Sequence, residues 1–80
     1  MDETSIRTEV LAVLRAIAPE IDAARVDGVK PLRFQIDLDS MDWLNFLVRL
    51  HKRFEVDIPE SQYASLRTID DLTAFIDQRR

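Results

Sequence analysis

Ile36-Asp37-Leu38-Asp39-Ser40-Met41-Asp42, followed at once by the apolar-rich run from Trp43 to Phe54, is the stretch that decides how this chain is read. At about 100° per residue, Trp43, Phe46, Leu47, Leu50 and Phe54 gather into one stripe, the signature of an amphipathic helix. Asp39 is a good N-cap for that helix, and Asp42 in its first turn favours the positive end of the dipole. Arg49, Lys52 and Arg53 suit the negative end. The spacing therefore predicts a helix from about Ser40 to Phe54, with the stripe, Trp43 included, packed into the core. Ser40 falls where an irregular segment becomes helix. Its hydroxyl is expected at an exposed helix mouth ringed by carboxylates, which suits a modifying enzyme better than a protein core.

Working outward, the N-terminal segment places Ile6, Val10, Val13, Leu14 and Ile17 at helical spacing, with Asp2 or Thr4 as cap and Pro19 as the stop. From Ala18 to Asp39 no helical period is sustained. Leu32, Phe34, Ile36 and Leu38 alternate there with Arg33, Gln35 and Asp37, a strand-like pattern without a convincing partner strand. The segment is expected to be an extended loop pinned by its alternate apolar side chains. Pro59 permits a new, short helix through Tyr63. Thr68 with Asp71 three residues later imitates a capping box, opening a last helix on Ile69, Leu72, Phe75 and Ile76. The expected fold is all-α: a small four-helix bundle with a long first loop and a short third helix, residues 1–80 forming one domain.

Composition narrows the function classes. At 80 residues the chain is near the lower limit for a single unstapled core, and without cysteine it has neither disulfides nor a cysteine zinc site. A hydrophobic fraction of 46% is ordinary for a globular protein and too high for a disordered one. No apolar run is long enough to span a membrane, and the acidic start Met1-Asp2-Glu3 does not resemble a secretory signal, so a soluble, cytoplasmic monomer is expected. The net charge of −4 opposes non-specific binding to nucleic acid. It is unevenly spread: the Ser40–Phe54 segment sets one acid against three bases, +2, leaving −6 for the rest.

Catalytic chemistry finds little support. Ser40 and His51, the serine and histidine of this helix, stand about 16 Å apart along it and cannot form a nucleophile–base pair. Asp37, Asp39 and Asp42 suggest a cation loop, but the EF-hand pattern fails: Asp42 stands where its glycine belongs and Val48 where its glutamate belongs. A nucleic-acid binder using the basic helix end would lack a stacking platform. Met41, Leu44 and Val48 form a second apolar strip beginning beside Ser40, which either meets the short third helix or stays exposed for a partner.

Asp39-Ser40-Met41-Asp42-Trp43-Leu44 resembles the Asp-Ser-Leu motif of acyl and peptidyl carrier proteins. The spacing onward to Phe54, to Val56-Asp57-Ile58-Pro59-Glu60 and to Thr68-Ile69-Asp70-Asp71-Leu72 also matches that family, over roughly residues 4 to 78. The resemblance implies a non-enzymatic carrier whose Ser40 bears a 4'-phosphopantetheine arm. The arm would come from coenzyme A, through a magnesium-dependent phosphopantetheinyl transferase whose metal-bound phosphates or basic surface Asp39 would help orient. The tethered thiol would carry an acyl or aminoacyl group as a thioester, raising its effective concentration at each enzyme visited. It also implies that the face bearing Met41, Asp42, Leu44 and Val48, with Arg49 and Lys52, docks those enzymes. The alternative is an unmodified helical interaction module with the same fold.

Two departures shape the expectation. Typical fatty-acid carriers have glycine where this chain has Asp37, and their second helix is acidic where this one offers Asn45, Arg49, His51, Lys52 and Arg53. Like-charge contact with the basic patches of housekeeping synthases costs affinity. A dedicated acyl- or aminoacyl-activating ligase, followed by downstream acyl-processing enzymes of a specialised pathway, is the expected set of partners. Asp-Ser-Met and Val-Asp-Ile-Pro also look like D-alanyl or other aminoacyl carriers.

Overall fold

The computed structural model describes residues 2–79, and among them it is helical with no strand. Helix α1 spans Glu3–Ile17, a single-turn helix α2 spans Leu32–Gln35, α3 spans Ser40–Phe54 and α4 spans Ile69–Arg79. Short 3-10 turns at Ala23–Arg25 and Glu60–Ser65 punctuate the connections, the second in the place of the expected short third helix.

The helix ends follow from local chemistry. The Asp2 carboxylate accepts the Ser5 amide at 2.8 Å, and that bond holds its carboxyl below the usual range. Asp39 does the same for the Asp42 amide, also at 2.8 Å. At α4 the capping box closes in both directions: the Thr68 hydroxyl accepts from the Asp71 amide, and the Asp71 carboxylate from the Thr68 amide. Helix α3 stops where Glu55 enters the left-handed region at φ 55°, a conformation usually left to glycine.

One apolar core joins the elements. Ile6, Val10 and Leu14 of α1 meet Phe46, Leu47 and Leu50 of α3 and Ile69, Leu72 and Ile76 of α4, all almost fully buried. Helix α1 packs against both α4 and α3. Burying each such side chain contributes about 1.5–3 kcal/mol, and these increments are what offset chain entropy in so short a chain. Polar ties reinforce the packing at the rim: Arg53 of α3 pairs with Glu9 of α1, and Arg7 of α1 with Asp70 at 3.1 Å. Gly28, the sole glycine, lies against that second pair and accepts the Asp70 amide on its carbonyl. A Cβ there would come within 2.6 Å of both charged groups, so no other residue fits without a shift.

Two expectations need correcting. Residues 32 to 38 are not an extended loop with alternating burial. Pro31 introduces a helical turn in which the Ile36 amide donates to the Leu32 carbonyl at 2.8 Å. The period becomes four, so Leu32 and Ile36 share the buried side while Phe34 points outward, 81% exposed. The turn is held by Gln35, whose amide oxygen accepts the Asp27 amide and whose nitrogen donates to the Asp27 and Lys30 carbonyls. Trp43 is the second, a matter of degree: it is partly buried and packs against the core rather than lying wholly inside it. Its ring packs at 56° against Phe46, centroids 5.5 Å apart, but it sits in the first turn of α3, where the bundle ends and a cleft opens.

Candidate functional site

Ser40 is the first residue of α3 and is exposed. Among the described residues its hydroxyl makes no hydrogen bond, because the capping role that would tie down a helix-start serine belongs to Asp39. A free hydroxyl at a helix N-terminus has one clear chemical aptitude. An anion joined to it lies at the positive end of the dipole, near the amides of the first turn.

The hydroxyl opens on a cleft of about 490 Å³. Leu38, Trp43 and Leu44 form its apolar wall on the α3 side, and Tyr63, Ala64 and Leu66 form the wall from the 3-10 turn and the link beyond it. Arg33 of α2 and Arg67 complete the lining. The cleft lies between the start of α3 and the 3-10 turn at Glu60–Ser65 with the link beyond it. A flexible organic arm fits these residues: an ester at Ser40 would sit beside a groove with aromatic and aliphatic walls.

The sequence-derived candidates divide by position. Ser40, Asp39 and Leu44 come together at the cleft. Met41, 74% exposed, and Val48, 45% exposed, continue from Leu44, 42% exposed, along the outer side of α3, so the second strip is left uncovered. Arg49 and Lys52 border that strip and form no ion pair with another described residue. Arg53 does not belong with them, being engaged by Glu9. Asp42, half-buried, gives its amide to the cap. His51 is tied to the loop: its Nδ1 lies 2.8 Å from the Val56 carbonyl oxygen, which only accepts, so that nitrogen carries the hydrogen and donates. No cluster of histidine and carboxylate side chains suited to a metal ion occurs among the described residues, and none of their helices is long and apolar enough to cross a membrane. Sequence reasoning missed Arg33, Tyr63 and Arg67 as residues lining the cleft on which Ser40 opens. Nothing in their local pattern marks them, since they come from segments joined only by the fold.

Residues 5–76 match the family model described as a phosphopantetheine attachment site. An acyl carrier protein of Micrococcus luteus is 32% identical over 74 residues, covering 89% of this chain and 91% of its own length. A meromycolate extension acyl carrier protein of Mycolicibacterium aurum is 30% identical over 71 residues, covering 85% of this chain and 73% of its own length. Among solved structures, the acyl carrier protein from Enterococcus faecalis superposes with a TM-score of 0.74 at 22% identity, covering 92% of this chain and 98% of the other.

Proposed function

Since the chain belongs to the acyl carrier protein family, whose prosthetic group is 4'-phosphopantetheine, we propose that Ser40 is the residue that bears the arm. The protein is a carrier and not an enzyme, and acyl-processing enzymes are its partners. The observation that carries the Ser40 reading is its exposed, unbonded hydroxyl at the first position of α3, opening on the cleft. On modification, Ser40 Oγ attacks the β-phosphate of coenzyme A and the nucleotide half leaves. The bound arm supplies a thiol that holds acyl groups as thioesters. The chain's own part is to hold the attachment point rigid through the Asp39 cap, to neutralise the ester's charge with the start of α3, and to offer the cleft wall. Asp39 has a second oxygen that makes no hydrogen bond to another described residue, and we assign it to orienting the transferase.

The docking face in this reading is Met41, Asp42, Leu44 and Val48, with Arg49 and Lys52 as a basic rim. It is supported by the exposure of the apolar strip beside Ser40 and by the unpaired rim cations. A basic rim pairs with an acidic one. The proposed loading enzyme is therefore a dedicated acyl- or aminoacyl-activating ligase with an acidic docking rim, in a specialised pathway, and general fatty-acid synthase enzymes use this carrier poorly. Residues 1–80 are read as one carrier domain, monomeric and cytoplasmic. The test is intact mass after incubation with coenzyme A, Mg²⁺ and a broad-specificity transferase, followed by side-by-side loading and elongation assays. One arm per chain, placed on Ser40, is expected. Efficient turnover by ordinary fatty-acid synthase enzymes would refute the specialised-pathway part alone.

A further inference from the structure

Among the described residues the large apolar side chains left exposed are Met41, Leu44 and Val48 on α3 and, apart from that strip, Val29 and Phe34. The second pair lies on the piece of chain that leads into and forms α2. Phe34 is 81% exposed and Val29 72%, yet this piece is fastened at several points. Gln35 bonds the backbone of Asp27 and of Lys30, the Leu32 amide donates to the Arg67 carbonyl at 2.9 Å, and the Gly28 carbonyl accepts the Asp70 amide at 3.0 Å. An aromatic ring held out in water on a fastened backbone is already arranged for contact, which lowers the entropy lost on binding. Lys30 and Arg33 are exposed on the same piece and join no ion pair with another described residue, whereas Arg7, Arg25 and Arg53 all do. No acid lies between residues 28 and 36, and the Asp27 carboxylate just before them accepts the Val29 amide at 2.9 Å. Aromatic side chains and arginine are the residues that most often anchor a protein interface.

We propose that Val29, Lys30, Arg33 and Phe34 form a second docking surface, separate from the α3 strip, which takes an acidic segment of a partner protein. Val29 and Phe34 pack against apolar side chains of that segment, and Lys30 and Arg33 pair with its carboxylates. Charge complementarity selects this occupant. Two copies of the chain meeting through this patch would set like charge against like. An anionic lipid surface would repel a chain of net charge −4 whose patch offers two large apolar side chains to bury. Arg33 also lines the cleft on which Ser40 opens, so the patch borders the place where partner enzymes work. A segment held there keeps its enzyme beside Ser40 and raises the effective concentration of each encounter. The inference does not depend on what the arm carries.

The experiment titrates the full, unmodified chain with a synthetic peptide of leucines set among glutamates, and with the same peptide carrying glutamine for every glutamate. Backbone amide resonances show where each one binds. The acidic peptide is expected to shift residues 28 to 36 and to bind about two- to ten-fold more tightly than the neutral one, the range of two solvent-screened ion pairs. The difference should shrink as salt rises. Phe34→Ala, and Lys30→Gln combined with Arg33→Gln, change exposed positions and should leave the helical spectrum intact while each weakens the acidic peptide. Equal binding of the two peptides would overturn the proposal. So would shifts confined to Met41, Leu44 and Val48, which would leave the α3 strip as the docking face. Shifts at residues 28 to 36 that grow with protein concentration in the absence of peptide would assign the patch to a second copy. Binding to phosphatidylglycerol vesicles in place of the peptide would assign it to a lipid surface, and either result overturns the proposal as well. Ser40 takes no part in the measurement, so failure here leaves the attachment of the arm standing, and failure of the arm to attach leaves this surface standing.

Discussion

The two ends of α3 are built to opposite purposes. At its C-terminal end Phe54 is buried, Val56 and Ile58 follow it into the core, Arg53 reaches α1 through Glu9, and His51 bonds the turning chain at Val56. At its N-terminal end Met41 and Leu44 are exposed, Trp43 is half covered, and Ser40 touches a cleft in place of a neighbour. One helix thus anchors itself at one end and presents a reactive hydroxyl at the other. The lesson is a division of labour along an axis of 15 residues: the ties to other elements gather at the C-terminal end, and the serine end is fixed by the Asp39 cap and the packing of Trp43 on Phe46.

The sharpest break of the comparison is Ser40→Ala. It should abolish the phosphopantetheine mass increment altogether while leaving the far-ultraviolet spectrum unchanged, because Ser40 contributes no hydrogen bond from its side chain to another described residue. An increment that persists would move the site elsewhere. Next comes the pair Phe46→Ala and Trp43→Ala, three residues apart on the same stripe. Emptying the fully buried Phe46 site should cost about 3–5 kcal/mol. The half-buried Trp43 should cost roughly half of that, since area already exposed is not lost. Equal shifts in urea midpoint would mean that Trp43 is as much a part of the core as Phe46.

Gln35→Ala attacks the cleft from outside α3. It removes three hydrogen bonds that hold α2 and should cost about 1–3 kcal/mol. Amide exchange measured along residues 27 to 36 should rise more than exchange in α4. Charge reversal at Arg49 and Lys52 should leave stability nearly untouched and slow association with the cognate loading enzyme several-fold at low salt, the effect fading as salt rises. An undiminished rate would show those cations to be merely solvated. The smallest effect is expected at the anchored end: Glu55→Gly relieves the left-handed residue and should raise stability by a few tenths to about 1 kcal/mol, readable as a higher thermal midpoint.

What could be read from the chain alone was local. The start of α3 at Ser40, its end at Phe54, the Asp2 and Asp39 caps and the Thr68–Asp71 box all depend on residues within four positions of one another, as do the helical stripes of α1 and α4. The exposed serine beside its carboxylates was legible for the same reason. Tertiary structure decided everything that joins distant segments. Arg53 leaves the basic rim because Glu9, 44 residues away, is packed beside it. Phe34 turns outward because Gln35 folds the chain back on Asp27 and Lys30 into a helical turn. Trp43 lines the cleft together with Arg33 and Arg67 because the fold brings α2 and the link before α4 alongside the N-terminal end of α3. A cap is settled by neighbours along the backbone, whereas burial and ion pairing are settled by whichever surface the fold brings alongside.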